Sequence, residues 1–213
     1  MKVHILIVLM GVLIFAVIRH VEAAPGPATD TVRQMLNDVM SIQTDPNLRG
    51  EESRETRKGA IQKVIVRGFD IPDMAREAIG PQWEKLSGPE RFEFSAVFQD
   101  LFLDSYSRLV LDFLKKEQVL YVAEEAEGDK VNVKTSIQRI NEQIPVDYSL
   151  TETDGRWVVR DVAIDGVSIV ANYRKSFARV IQTESFAGLM RRMRLQQKAI
   201  QKPSQPGGAP QAQ

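Results

Sequence analysis

The 213 residues include 28 Lys and Arg against 28 Asp and Glu, with two histidines and no cysteine. A net charge of zero excludes a global positive field of the kind that draws proteins to nucleic acid. Both histidines, His4 and His20, lie in an N-terminal segment that we expect to be removed. The rest of the chain therefore lacks the side chains for Ser-His-Asp or Cys-His catalysis and for most zinc sites.

The N-terminal segment has the three parts of a secretory signal peptide. Lys2 supplies a positive charge, Ile5–Ile18 form a nearly pure apolar run, and Val21-Glu22-Ala23 resembles a cleavage site. The run is shorter than the roughly 20 apolar residues that a transmembrane helix needs. We expect residues 1–23 to be a signal peptide, cleaved after Ala23 or Ala24. The alternative is an uncleaved inner-membrane anchor.

Residues 24–202 suit a single domain, and its first half is predicted to be helical. Apolar residues at helical spacing predict helices at Asp30–Ile42, Glu51–Phe69 and Ile71–Ile79. Ser87-Gly88-Pro89 then begins a central helix, Glu90–Lys116.

The central helix carries an apolar stripe wider than one packing contact requires. The stripe comprises Phe92, Val97, Phe98, Leu101, Phe102, Tyr106, Leu109, Val110, Phe113 and Leu114. Packing between a sheet and other helices accounts for this stripe, and so does a cavity that faces part of it. The stripe alone does not decide between these two interpretations.

Four runs of residues with strand character follow the central helix. They are predicted to be strands at Val119–Ala126, Lys130–Ile140, Gln143–Thr151 and Arg156–Ile164. Short links such as Asp154-Gly155, a pair that tolerates positive φ, predict an antiparallel meander.

A second Asp-Gly pair, Asp165-Gly166, predicts another turn, after which Ser168 can cap a helix. Two C-terminal helices are predicted, Ser168–Gln182 and Ser185–Gln201, followed by a disordered tail at 203–213 rich in Pro, Gly and Gln. Asp161 and Asp165 are close in sequence, but we expect them to form turns and caps rather than a catalytic pair.

Helices and strands are segregated along the chain, which predicts an α+β fold. In this fold the N-terminal helices and the long central helix pack on a curved four-stranded antiparallel sheet. The two C-terminal helices close the domain.

The segment from Trp157 to Phe177, WVVRDVAIDGVSIVANYRKSF, resembles the signature of the MlaC family, also called the toluene-tolerance family. Further similarity covers Trp83 to Phe102 and Tyr106, and the whole resemblance spans about Thr29 to Ile200. Arg160 departs from the family pattern, in which an aromatic residue precedes the Asp-Val pair. Proteins of this family are periplasmic phospholipid carriers that serve an ABC-type lipid transport system.

The resemblance implies a periplasmic carrier with an apolar cavity between sheet and helices, in which the acyl chains of a phospholipid are hidden from water. Apolar and tyrosine residues of the central helix, the inward strand faces and the helix after Ser168 are the candidate lining. These lipid-binding candidates are Val97, Leu101, Tyr106, Leu109, Phe113, Val133, Ile137, Val146, Tyr148, Val159, Val170 and Tyr173.

The resemblance also implies the partners, an inner-membrane ABC transporter complex and an outer-membrane lipoprotein complex. The chain contains no G-x-x-x-x-G-K-[ST] loop, so it is not itself a P-loop ATPase. We therefore expect no cofactor and no metal, the phospholipid being cargo, and energy supplied by a separate ATPase.

Basic residues dominate the C-terminal helices, where Arg174 to Lys202 include one acid, Glu184. A local positive field of this kind can steer a protein toward anionic headgroups or an acidic partner. The candidate docking residues are Arg174, Lys175, Arg191, Arg192 and Arg194. A solvated helical face is the alternative interpretation of each one.

Three other functions compete with a phospholipid carrier. An exported scaffold or assembly module would have a fully packed core and no cavity. A hydrolase would need catalytic groups, and the absence of histidine and cysteine disfavours it. A carrier of another apolar lipid, such as a hopanoid, would share every feature described so far.

Overall fold

A computed structural model of the protein describes residues 26–201. The predicted signal peptide and the predicted tail lie outside these residues. Within the described part of the chain, no helix combines the length and the apolar character that crossing a membrane requires.

Four α-helices form the N-terminal half: α1 (Pro27–Thr44), α2 (Arg54–Gly68), α3 (Ile71–Ile79) and α4 (Gly88–Phe113). Two short 3-10 helices, Pro46–Leu48 and Gly80–Lys85, lie between them. The start of α4 is a capping box, in which the Ser87 amide donates to the Glu90 carboxylate at 2.8 Å and the Glu90 amide donates to the Ser87 hydroxyl.

The start of α1 is stabilised from a distant part of the chain. The Glu124 carboxylate accepts hydrogen bonds from the Thr29 amide at 2.7 Å and from the Thr29 hydroxyl at 2.6 Å. A carboxylate at a helix N-terminus is favourable because the first amides have no partner in the helix. This tertiary cap and Pro27 let α1 begin three residues before its predicted start at Asp30.

The end of α4 comes at Phe113, earlier than the predicted Lys116. The Gln43 side chain of α1 donates to the carbonyls of Leu111 at 3.3 Å and Leu114 at 2.9 Å at the end of the helix. It also donates to the Val110 carbonyl at 3.1 Å, which already accepts from the Leu114 amide. The Glu117 carboxylate accepts from the amides of Lys115 and Lys116, which turns the chain toward the first strand.

The strands are β1 (Gln118–Glu127), β2 (Lys130–Arg139), β3 (Glu142–Thr153), β4 (Arg156–Ile164) and β5 (Val167–Ser168). They form one antiparallel sheet in the order β1-β2-β3-β4-β5. The predicted four-stranded sheet is therefore corrected to five strands. Asp165 and Gly166 both have positive φ, 50° and 75°, and the tight turn they make folds Val167 back onto Ile164.

The C-terminal region is one long helix, α5 (Ile169–Gln201), rather than the two separate helices predicted. Ser185, with φ 76° and ψ 170°, interrupts it. The second predicted helix begins at Ser185, so the sequence located the break correctly. In the structure, however, no loop separates the two helical segments. Asp161 caps the start of α5, because its carboxylate accepts from the Val170 amide at 3.1 Å and from the Ser168 hydroxyl.

The α+β class is as predicted. Helix α4 supplies the centre of the hydrophobic core. Phe94, Phe98 and Phe102 are almost fully buried along α4. Phe94 meets Phe177 of α5 at 5.9 Å between ring centroids, and Phe98 meets Tyr173 at 5.2 Å. Val97, Phe98 and Leu101 of the predicted stripe are therefore core, and the residues that follow them on α4 face the sheet. Phe92 is 79% exposed, so the prediction that it belongs to the buried stripe is wrong.

Candidate functional site

A pocket of about 290 Å³ lies between the helices and the sheet. It is lined by Met35, Leu36, Val39, Val64, Ile65, Phe69, Phe102, Tyr106, Leu109, Val110, Phe113, Leu114, Ile137, Arg139, Ile144, Val146, Tyr148, Val162, Ile164 and Ile169. Arg139 is the one charged residue among these described lining residues. The volume is near the lower end of the range for ligand pockets, about 300–1,000 Å³.

Strand register produces the sheet wall of the pocket. Three cross-strand pairs, Ile137–Ile144, Val146–Ile164 and Tyr148–Val162, lie directly opposite one another across β2, β3 and β4. Because side chains alternate between the faces of a sheet, each pair points to the helical side together. The result is a continuous apolar surface.

Helix periodicity produces the opposite wall. On α4, Phe102, Tyr106, Leu109, Val110 and Phe113 share one face because they are spaced by three or four residues. The Phe102 and Tyr106 rings are 4.4 Å apart between centroids, which closes the inner end of this wall.

Two tyrosines supply polar atoms inside an otherwise apolar lining. Burial raises the pKa of the Tyr148 phenol well above its usual range, and nearby Tyr121 raises it further. Burial also raises the pKa of Tyr106, and the neighbouring Tyr173 adds to the increase. Both phenols therefore stay neutral at physiological pH, and neither places a charge in the pocket.

The opening of the pocket is at Phe113 and Arg139. Phe113 is 51% exposed, the most exposed of the apolar lining residues. The Arg139 guanidinium carbon lies 5.3 Å from the centre of the Phe113 ring, and its Nη2 donates to the Phe113 carbonyl at 2.5 Å. The Glu117 carboxylate is 3.8 Å from the same Nη2. Burial opposes ionisation of Glu117, but the amides of Lys115 and Lys116 and the charge of Arg139 outweigh it and lower its pKa.

Half of the predicted lipid-binding residues line this pocket: Tyr106, Leu109, Phe113, Ile137, Val146 and Tyr148. The other six do not: Val97, Leu101, Val133, Val159, Val170 and Tyr173. Val133 and Val159 are completely buried, and Tyr173 packs between Phe98 and Phe177. These residues share an apolar face with the pocket residues, but packed side chains occupy the space in front of them.

Several lining residues were not among the sequence candidates. Strand alternation could have identified three of them. It places Ile144 on the same face as Val146, and Val162 and Ile164 lie opposite Tyr148 and Val146. Met35, Leu36 and Val39 belong to the predicted helix Asp30–Ile42, and their helical spacing predicts a buried face without distinguishing packed core from pocket lining. Arg139 had no sequence signal, since it is one of many charged residues near a hairpin turn.

The predicted docking residues lie on α5 and are all exposed. Three are in ion pairs: Arg174 with the Glu77 carboxylate at 3.9 Å, Arg192 with Glu184, and Arg194 with Glu93. Within residues 26–201, Lys175 and Arg191 form no ion pair. The local positive field is therefore smaller than the sequence suggested.

The described part of the chain contains no cluster of metal-ligating side chains. Residues 26–201 contain no group of three or more His, Cys, Asp or Glu arranged to hold a metal ion.

Comparison with known proteins links this geometry to one family. The family model described as MlaC protein matches residues 33–195. The toluene tolerance protein ttg2D of Pseudomonas putida is 22% identical over 125 residues, which are 58% of this chain and 58% of that protein. A solved structure of a phospholipid-binding protein from Ralstonia solanacearum, in complex with a phospholipid, superposes with a TM-score of 0.72 at 23% identity. That match covers 83% of this chain and 100% of the other.

Proposed function

Because the chain belongs to the MlaC family, we propose that it binds a phospholipid by its acyl chains and carries it between membranes. The family is one of non-enzymatic lipid carriers, which supports the proposal. The single observation that supports the proposal most directly is the apolar pocket between α4 and the sheet, which opens at Phe113.

Burial of methylene groups supplies the binding free energy. Each buried methylene contributes about 0.8 kcal/mol, so ten of them contribute about 8 kcal/mol. That free energy corresponds to a Kd on the order of 1 µM, before the costs of association are subtracted. An apolar lining without an ionised group in its interior suits such a ligand, because an unpaired buried charge would repel it.

A phospholipid with two chains needs more room than the pocket now has. At about 290 Å³ the pocket is at the small end for a lipid ligand, so we expect its walls to separate on loading. The side formed by Met35, Leu36 and Val39 of α1 and by Val64 and Ile65 of α2 faces the sheet wall across the pocket. Movement of these two helices away from the sheet would enlarge the pocket.

The cellular role extends the proposal beyond the described residues. After removal of residues 1–23 the protein would act in the periplasm. It would receive lipid from one partner complex and deliver it to the other: an inner-membrane ABC transporter complex and an outer-membrane lipoprotein complex. The chain would bind no nucleotide, because the transporter complex would hydrolyse ATP.

The test is lipid recovery from matched variants. The protein is exported with its own signal, purified from the periplasm and extracted with organic solvent, and the extract is analysed by mass spectrometry. Val146→Glu places a carboxylate in the pocket lining, and Leu109→Trp fills the space without a charge. Val122→Glu makes the same change as the first variant at a 57% exposed position on β1.

We expect phospholipid with the wild type and with Val122→Glu, and little or none with Val146→Glu or Leu109→Trp. The buried carboxylate costs several kcal/mol when it has no partner. Circular dichroism checks that each variant is folded. Undiminished lipid in folded Val146→Glu and Leu109→Trp would reject the pocket as the lipid site. A hopanoid in the extract would point to the other lipid class, and wild type without lipid would favour the scaffold.

A further inference from the structure

We propose that Arg139 binds the phosphate of the bound lipid at the opening of the pocket, an inference that rests on the proposed function. Arg139 is the one charged residue among the described lining residues, and its side chain is 26% exposed. A ligand with its chains in the pocket therefore brings its headgroup to this guanidinium.

The hydrogen bonds of Arg139 are incomplete. A guanidinium has five N–H donors. Nη2 uses one on the Phe113 carbonyl, but the Glu117 carboxylate, at 3.8 Å, is beyond hydrogen-bond distance. Nε is buried and has no acceptor among the described residues. A buried donor without an acceptor is rare in folded proteins and marks a place where a ligand oxygen can bind.

Arg160 provides a contrast within the same molecule. It is similarly buried and its Nε also has no partner in the described chain, but its Nη1 and Nη2 bind the carboxylates of Asp70 and Asp73. Those two carboxylates neutralise its charge and fix α3 against β4. The charge of Arg139 faces one more distant carboxylate, so it retains more capacity for an anion.

A phosphodiester group fits the donors that remain. Its two unesterified oxygens match the planar fork of a guanidinium, which a single ammonium group cannot imitate. The Phe113 ring holds the guanidinium in place by a cation–π contact. The phosphate would then lie at the boundary between the apolar pocket and water, with the rest of the headgroup outside.

The negative end of α4 lies close to this position and would repel an anion if it were uncompensated. Gln43 donates to the carbonyls of Val110, Leu111 and Leu114, and Arg139 itself binds that of Phe113. These hydrogen bonds occupy four carbonyls at the C-terminal end of the helix. The Glu117 carboxylate is also nearby, and it is paired with Arg139.

The experiment compares two lipids that differ only in the headgroup. Delipidated mature protein is titrated with dioleoylphosphatidylglycerol and with dioleoylglycerol, which has the same chains and no phosphate. The variants are Arg139→Gln and Arg139→Lys. The control is Arg156→Gln, which removes an exposed arginine beside the turn between β3 and β4.

We expect the wild type and Arg156→Gln to bind the phosphatidylglycerol at least about tenfold more tightly than dioleoylglycerol, as a charge-assisted hydrogen bond provides. Arg139→Gln should bind both lipids with the affinity that the wild type has for dioleoylglycerol. Arg139→Lys should be intermediate, because it keeps the charge without the fork.

Equal weakening of both lipids by Arg139→Gln would assign Arg139 a structural role and overturn the inference. Equal affinity of the wild type for both lipids would overturn it while leaving the acyl-chain pocket intact. Binding of neither lipid by the wild type would overturn the proposed function as well. If Arg139→Gln does not fold, the same comparison is made with Arg139→Lys, and an unchanged lipid preference in that variant rejects the inference.

Discussion

At the scale of single residues, the buried charges outside the pocket stabilise the packing of helices. Lys58 of α2 and Asp104 of α4 form an ion pair at 2.6 Å, with side chains only 11% and 10% exposed. Arg108 also contacts Asp104, at 3.0 Å. Burial opposes ionisation of Asp104, but Lys58 and Arg108 outweigh it and lower its pKa.

Replacement of Asp104 by Asn should destabilise the protein by about 3 kcal/mol, because it leaves the Lys58 ammonium buried without its main partner. Lys58 keeps a weaker contact with Glu55 at 3.8 Å, so the loss should be at the low end of the range for buried pairs. Urea unfolding at pH 7 measures the change. The matched control is Asp112→Asn, which removes a 51% exposed partner of Arg54 and should cost less than about 1 kcal/mol.

The Lys58–Asp104 ion pair also predicts that the free energy of unfolding depends on pH. The folded pKa of Asp104 is lowered, so its contribution is fully present above its ordinary pKa of about 4 and is lost as pH falls through the folded value. The stability difference between wild type and Asp104→Asn should therefore shrink in acid. A difference that stays constant from pH 7 to pH 3 would show that Asp104 does not act through its charge.

At the scale of elements, the break in α5 determines how this helix covers α4. Phe177 and Phe186 both contact the Phe94 ring, at 5.9 and 6.3 Å between centroids. They are nine residues apart, which a straight helix would separate by about 13 Å along its axis. The break at Ser185 lets both halves of α5 reach the same part of the core.

Ser185 occupies a backbone region, φ 76° and ψ 170°, that is essentially restricted to glycine and costs other residues about 1–3 kcal/mol. Ser185→Gly should therefore raise the free energy of unfolding by about 1 kcal/mol. Ser185→Ala should lower it, because alanine keeps the strain and loses the hydroxyl that accepts from the Gly188 amide. Thermal unfolding of both variants checks the order. Equal midpoints for the two would exclude strain at this residue.

At the scale of the whole molecule, the pocket opening and the basic residues of α5 are separate features with separate predicted effects. Arg139 lies at the end of β2 and lines the pocket, whereas Arg191, Arg192 and Arg194 lie on α5 and do not line it. Changes on α5 should alter encounter with a partner but leave lipid content unchanged.

Replacement of Arg191, Arg192 and Arg194 by Ser should slow association with the proposed inner-membrane partner and flatten its dependence on salt, because charge steering acts across solvent. The effect should be modest, about threefold to tenfold in rate, since Arg192 and Arg194 already pair with Glu184 and Glu93. Association rates across ionic strength provide the measurement, with Arg156→Ser as control. Rates and salt slopes equal to those of the wild type would remove these residues from the docking surface.

The sequence by itself determined the α+β class, the order of the elements and the Asp-Gly turns, because periodicity and turn chemistry are local properties. It also identified the family, through the long ordered segment from Trp157 to Phe177. Local patterns placed Val146 and Val133 alike on buried strand faces, but of the two only Val146 lines the pocket between the helices and the sheet.

Only the tertiary structure decided which apolar residues line open space, because that depends on what packs opposite them. The same holds for the fifth strand, which needs β4 as a partner, and for the Glu124 cap on α1, which joins residues 95 positions apart. Arg139 is the clearest example of a residue whose role depends on tertiary structure. Its sequence neighbourhood is that of an ordinary hairpin arginine, and its place at the pocket opening follows from the end of α4 meeting the end of β2.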